Sequence, residues 1–379
     1  MKPFDVIVIG AGMAGASAAA HLAATRKVVL IEREPQPGYH STGRSAALFS
    51  EIYGNPVVRA LSRASRPFLT EPPGDFGSTP LVRRRGSLFV ATAAQLERLR
   101  EFAALPDIGP ATVPVDATLA REMCPILRDD YVAAALLEPD SMDIDVDVLH
   151  RGYLRLLRRR GGVLVGDAPV HSLQRDGRCW AAAAGVETFS APVLVNAAGA
   201  WADAVAVLAG VPAVGLQPYR RTAMLIDPPA GIPIAGWPMV IDSDEQFYFK
   251  PDAGLLLLSP ADETASAACD AQPEEWDVAV AVERMQMATT LPIDRVRRRW
   301  AGLRSFVPDR SPVAGYAAEA EGFFWLAGQG GYGIQTADAL ARAAAALIAG
   351  LELPEDLRRL GVRADALSPS RLDSSRAGP

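Results

Sequence analysis

The chain has 379 residues, 49% of them hydrophobic and 22% charged, and a formal net charge of -6. That length suggests two or three domains around a large core, and the acidic balance, relieved only by short basic runs such as Arg158-Arg159-Arg160 and Arg297-Arg298-Arg299, argues against nucleic acid as a partner. No apolar run reaches the ~18 residues of a transmembrane helix, and three widely spaced cysteines with four scattered histidines give no reason to expect a disulfide framework or a metal centre.

The first element is the apolar run Val6-Ile7-Val8-Ile9, which reads as a buried strand. It leads into Gly10-Ala11-Gly12-Met13-Ala14-Gly15 and then an alanine-rich helix over 16–24. Three glycines suit a phosphate site: Gly10 for the tight turn, Gly12 so that amides approach a pyrophosphate, Gly15 for close packing of helix on sheet. A second strand, Val28-Val29-Leu30-Ile31, ends at Glu32, placed to accept hydrogen bonds from a ribose, with Arg33 beside it. Strand, glycine turn, helix and acid together make a dinucleotide site; FAD or NAD is left to the residues downstream. Because this unit begins directly after Met1-Lys2-Pro3, no signal peptide is expected and the expected compartment is the cytoplasm.

The polar loop Tyr39-His40-Ser41-Thr42-Gly43-Arg44-Ser45-Ala46-Ala47 follows, close to the cofactor. From 81 to 139 the pattern is mixed, with a strand expected over 87–90 and a polar helix over 93–102. A helix over 147–160 and a strand over 163–165 come next, then the buried strand Val193-Leu194-Val195-Asn196 meeting Ala197-Ala198-Gly199, where backbone must approach another group. Gln246-Phe247-Tyr248-Phe249-Lys250, a Pro-Asp-Ala-Gly turn and 255–258 form a hairpin signal, with Tyr248 and Lys250 on one face and the phenylalanines on the other. Trp300-Ala301-Gly302-Leu303-Arg304-Ser305-Phe306, a strand over 322–326, and Gly328-Gln329-Gly330-Gly331-Tyr332-Gly333-Ile334-Gln335-Thr336 opening a helix to about 349 complete the pattern. The tail after Leu360 reads as disordered.

On the glycine turn, Glu32, Asn196-Ala197-Ala198-Gly199, Gly302-Leu303-Arg304 and Gly328–Gly333 stretches, the chain resembles the D-amino-acid oxidase type of FAD-dependent oxidoreductase almost end to end. Its 38–47 and 300–306 stretches look most like bacterial D-arginine and related D-amino-acid dehydrogenases. The resemblance implies an α/β fold: a discontinuous Rossmann-like FAD-binding domain (1–80, 140–215 and 296–361) and an α+β substrate-binding domain (81–139 and 216–295). The second domain's mostly antiparallel sheet roofs the flavin, and 362–379 is a flexible tail.

Carried over by residue, the resemblance puts Arg221 and Arg304 on a substrate carboxylate, which two planar, permanently charged guanidinium groups can orient. It puts Tyr53 and Tyr248 close to the substrate, and Gln335 near the flavin or substrate. Besides Gly10, Gly12, Gly15, Glu32 and Arg33, it places Ser41, Thr42, Arg44, Ser45, Ala46, Ala198, Gly199, Gly302, Gly330, Gly331, Tyr332, Gly333 and Ile334 around FAD, with helix-terminal amides toward the pyrimidine edge. Arg44-Ser45-Ala46 supply no histidine or cysteine for a covalent link, so the FAD is expected to be noncovalent. Two departures bear on substrate: Ser87 stands where arginine-selective relatives carry a glutamate, and Leu48 where they carry a histidine.

The expected reaction is oxidative deamination of neutral or apolar D-amino acids, by hydride transfer to flavin N5 and hydrolysis of the imino acid to a 2-oxo acid and ammonia. The electrons pass to oxygen or a quinone-like acceptor, with a place at the membrane periphery in the second case. A 2-hydroxy-acid or a secondary-amine oxidoreductase of the sarcosine or proline kind is the alternative, and a flavin-binding subunit without turnover the second.

Overall fold

The computed structural model describes residues 1–375. Val6–Ile9 and Val28–Ile31, wholly apolar and wholly buried, are central strands of a six-stranded sheet ordered Val163–Val165, Val28–Ile31, Val6–Ile9, Val193–Asn196, Phe323–Ala327, Val313–Tyr316. The first five are parallel and the last is antiparallel. Runs without polar alternation suit strands covered on both faces. The helices Met13–Leu22, Val146–Arg159 and Ala337–Ile348 cover one face. A four-stranded sheet contributing Leu173, Trp180 and Phe189 covers the other. The order reverses at Val6–Ile9, whose neighbours come from 28–31 on one side and 193–196 on the other. A crevice opens beyond the carboxyl ends at such a switch point, and it is lined by the glycine turn, Glu32 and Ala197.

The second sheet has nine strands, antiparallel except where Met239–Asp242 lies parallel to Ser87–Ala91. Phe247 and Phe249 enter an apolar core with Met285 of the helix Glu275–Ala288. Tyr248 faces the opposite way, into the crevice, as period two requires. This is the expected Rossmann-like FAD-binding fold with a sheet over the cofactor site.

Two boundaries differ from the sequence reading. Val296–Phe306, assigned above to the cofactor domain, pairs along its length with Gln217–Ile226 and is part of the roof sheet; its Gly302 and Arg304 point into the crevice, so it carries cofactor-side motifs on a substrate-side strand. The tail expected to be flexible forms the helix Ala364–Leu367 and the 3-10 turn Pro369–Ser375. Val362, Leu367 and Leu372 are buried, three apolar anchors that the polar composition around them hides. Residues 376–379 lie outside the described part. Among the described residues no helix is long and apolar enough to cross a membrane.

Candidate active site

Between the two sheets lies a cavity of about 470 Å³. One end is built by the glycine turn. Gly10 has φ +97°, and a Cβ there would stand 2.5 Å from the Ala197 carbonyl oxygen; a Cβ on Gly15 would stand 1.8 Å from the Gly10 carbonyl oxygen. Only glycine allows this crossing of turn, helix and third strand. Gly15 is therefore packed beneath the turn, while Gly10 and Gly12 line the cavity. Glu32 is buried, its Oε2 accepting from Ala11 N (2.7 Å) and Oε1 from Glu34 N (3.0 Å). Both oxygens keep a further lone pair for donors such as ribose hydroxyls. Arg33 sits at the rim, its guanidinium 5.0 Å over the Trp201 ring. Beneath the turn, His150 Nε2 donates to the Ala11 carbonyl (2.8 Å), and burial lowers its pKa and keeps it neutral.

The 38–47 loop forms the middle of the cavity. Thr42 Oγ1 accepts from Met13 N (3.0 Å), and Ser41 Oγ donates to the Leu303 carbonyl (2.6 Å), tying the first helix to the roof. Ser45 and Ala46 line the cavity opposite the roof, with Ser45 Oγ accepting from Ala47 N at 3.1 Å. Ala198, Gly199 and Gly302 line the same stretch. Arg44 lines the cavity too, and its guanidinium also braces the wall. Its Nη1 donates to the carbonyls of Ala271 (2.8 Å) and Ala301 (3.0 Å), and its Nη2 pairs with Asp270, so the cationic head straps the 270–271 segment down.

At the other end, Arg221 and Arg304 project from neighbouring strands. Arg221 pairs with Gly302 and Arg304 with Tyr219, which makes the two arginines diagonal neighbours on one face. Arg304 Nη1 donates to the Tyr53 hydroxyl (3.0 Å), and its guanidinium lies flat on Gly331, where a Cβ would stand 2.9 Å from Nη1 and 3.0 Å from Cζ. Arg221 Nη2 donates to Glu263 (3.2 Å), which also accepts from Arg310; Arg221 Nε is buried with no hydrogen-bond partner. Tyr248, Gly330, Gly331, Gly333 and Ile334 line the same end. Tyr53 and Tyr332 stand just behind, edge to face with centroids 4.9 Å apart. We expect Gly331→Ala to keep its FAD while kcat/KM falls about 10- to 100-fold, because the added methyl displaces Arg304 by a fraction of an ångström to an ångström; steady-state kinetics on the yellow protein reads this.

Two expectations change here. Gln335 is buried and outside the cavity lining: its Oε1 accepts from Ser50 N (3.1 Å), and its Nε2 donates to the Ser50 carbonyl (3.2 Å) and Ser62 Oγ (2.7 Å). Its amide is spent on the loop before Tyr53. The last helix begins at Ala337 with Thr336 as N-cap, so the amides that face the cavity belong to the preceding turn.

Residues with no sequence signal complete the site. Ala168, Pro169, Val170 and Leu208 give the far end an apolar lining, and no motif marks them. Glu138 was also missed. It is 2% exposed; its Oε2 accepts from Ser50 Oγ (2.7 Å) and Oε1 from Glu51 N (2.8 Å), and burial, helped by the nearby Glu51 charge, pushes it up to about 7. The folded carboxyl thus holds a proton that the unfolded one releases near pH 4.5. Stability present at low pH is therefore lost as pH rises from about 4.5 to about 7, by on the order of 3 kcal/mol. Urea unfolding of wild type and Glu138→Gln across this window should differ by that slope.

The FAD dependent oxidoreductase (DAO) family model matches residues 5–347. The chain belongs to that family. Human mitochondrial sarcosine dehydrogenase is 27% identical over 353 residues, covering 84% of this chain and 37% of that protein, so the chain spans under half of that relative's length. An uncharacterized oxidoreductase of Bacillus subtilis, YurR, is 24% identical, covering 93% of this chain and 96% of its own. Among solved structures, L-proline dehydrogenase from P. horikoshii superposes with a TM-score of 0.85 at 20% identity, covering 99% of both chains, which shows a shared fold. The protein is an FAD-dependent oxidoreductase that holds FAD noncovalently. The glycine turn and Glu32 fit its adenosine diphosphate half. Among the described residues no cysteine lines the cavity, and the one lining histidine, His40, is bonded to Glu34 (2.9 Å) and packed on Trp201.

Proposed function

We propose that this oxidoreductase oxidises the C–N bond of a small amino acid with a neutral side chain, and that the amine is secondary, of the sarcosine or proline kind. The observation that carries the carboxylate is Arg304: a charged guanidinium at the cavity end, fixed by Tyr53 and Gly331, bearing no acidic partner among the described residues. Arg221, with its unpaired Nε, supports the same anchor from the next strand. FAD, when bound, would supply the acceptor for two electrons and a hydrogen from a carbon attached to the amine nitrogen. The residues of the chain orient: two arginines hold the carboxylate, and the tyrosine hydroxyls restrict its rotation.

The preference for a neutral substrate rests on the cavity's acids. Among the described residues Glu32, at the dinucleotide end, is the one acidic residue lining it. Ser87 is buried outside the lining and bonded to Ser141 Oγ (2.7 Å), so nothing there would hold a guanidinium or ammonium side chain. The secondary amine is favoured by the likeness to the sarcosine and proline dehydrogenases named above. D-Amino acids are the second reading, supported by the 38–47 and 300–306 stretches that look most like those of D-amino-acid dehydrogenases.

An anaerobic flavin absorbance titration tests both. Bleaching by sarcosine, N-methyl amino acids or proline is the expected result. Bleaching by primary D-amino acids alone moves the substrate to the second reading, and bleaching by 2-hydroxy acids alone overturns the C–N assignment. Return of colour in air, or only with a quinone analogue, then identifies the acceptor class.

A further inference from the structure

We infer that Glu138 is a positioning residue for the site: by gathering the donors of the 50–52 segment it fixes the loop that presents Tyr53 to Arg304. This rests on the carboxylate reading of Arg304 given above. Glu138 ends the strand Ala134–Glu138 of the roof sheet, opposite Ser87. From there it reaches out of the sheet to a loop of the other domain, taking Ser50 Oγ–H and Glu51 N–H. Gln335 grips the same Ser50 from the opposite side through both its backbone N–H and C=O. Three residues further on, the Tyr53 hydroxyl accepts from Arg304. The loop thus bridges the domains and touches the substrate-end guanidinium, and its only two side-chain staples at Ser50 are Glu138 and Gln335 among the described hydrogen bonds.

Of these two staples, Gln335 is neutral at all working pH values, whereas Glu138 titrates near neutrality. The charged groups that face it are Glu51 on the loop, Arg66 from the helix Pro56–Thr70, which pairs with Glu51 at 2.8 Å, and Asp140 in the following turn, 4.0 Å from Arg66. An ionised carboxylate is acceptor only and satisfies both donors. A protonated one still accepts through its carbonyl oxygen, but as a neutral acceptor it holds Ser50 Oγ–H and Glu51 N–H by weaker, less directional bonds than the charge-assisted ones. Acid therefore loosens the loop and, through Tyr53, the setting of Arg304.

The test uses propionate, a carboxylate without an amine whose charge is nearly constant from pH 6 to 8.5, titrated into the holoenzyme and read by the flavin absorption shift. Wild type should bind it about fivefold more tightly at pH 8.5 than at pH 6, with a midpoint near 7. In Glu138→Gln the difference should fall below about twofold, with FAD content unchanged; a merely structural role would lower thermal stability and leave this pH profile in place. Should Glu138→Gln fail to fold, Ser50→Ala decides, since removing one donor to the carboxylate must move the midpoint upward. An unchanged profile in Glu138→Gln, or an unmoved midpoint in Ser50→Ala, overturns the assignment. Propionate that binds Arg304→Gln as well as wild type overturns the carboxylate reading itself, and this assignment with it.

Discussion

Arg304→Ala should retain a full complement of FAD and lose about 10³-fold in kcat/KM, equivalent to about 4 kcal/mol of transition-state binding. The size follows from where the guanidinium lies. It is partly buried, and its described hydrogen bond is to a neutral hydroxyl, so most of its interaction energy is available to a ligand anion. Arg304→Lys should recover little, because a point-charge ammonium cannot make two parallel hydrogen bonds to a carboxylate and would leave the flat seat on Gly331. Arg221→Ala should cost less, about 10- to 100-fold, since Glu263 already shares that charge. A loss in Arg304→Ala smaller than about tenfold, measured with the best substrate of the wild type, would sink the carboxylate anchor.

Gly15→Ala should yield protein without bound FAD and with lower stability. Its Cβ would sit 1.8 Å from the Gly10 carbonyl oxygen, a backbone atom that cannot swing aside as a side-chain end can. Gly10 in turn is pressed against Ala197, so the displaced turn has nowhere to retreat within the sheet. Forced repacking of this kind costs about 1–3 kcal/mol or more, and the glycine-turn amides lose their aim at the pyrophosphate. Absorbance at the flavin band per protein, with the thermal midpoint of the apoprotein beside it, measures both effects. A yellow Gly15→Ala protein with a wild-type midpoint would contradict the packing described here.

The two predictions draw on different sources of information. Gly10, Gly12, Gly15 and Glu32 are legible in the chain because a local physical demand selects them: turn, close approach and a strand-end acid lie within one β-α-β unit and need no distant partner. Arg304 and Tyr248 were legible through resemblance, and the hairpin period of two correctly sent Tyr248 and the flanking phenylalanines to opposite faces. What the chain did not disclose depends on partners far away in sequence. Arg44 lines the cavity as the resemblance implied, but that its guanidinium reaches the carbonyls of Ala271 and Ala301, some 230 and 260 positions on, could not be read from the chain. Gln335 looked like a site residue until Ser50 claimed its amide. Val296–Phe306 carried cofactor-side motifs, yet strand pairing with Gln217–Ile226 placed it in the roof. Glu138 had no signal at all, since a lone glutamate at the end of an apolar strand is ordinary, and its pKa is raised by burial, helped by the Glu51 charge, against the opposing hydrogen bonds from Ser50 and Glu51. Short-range geometry is written into residue type and spacing; the fate of a polar head group is settled by whichever donor or acceptor the folded chain brings within about 3 Å of it.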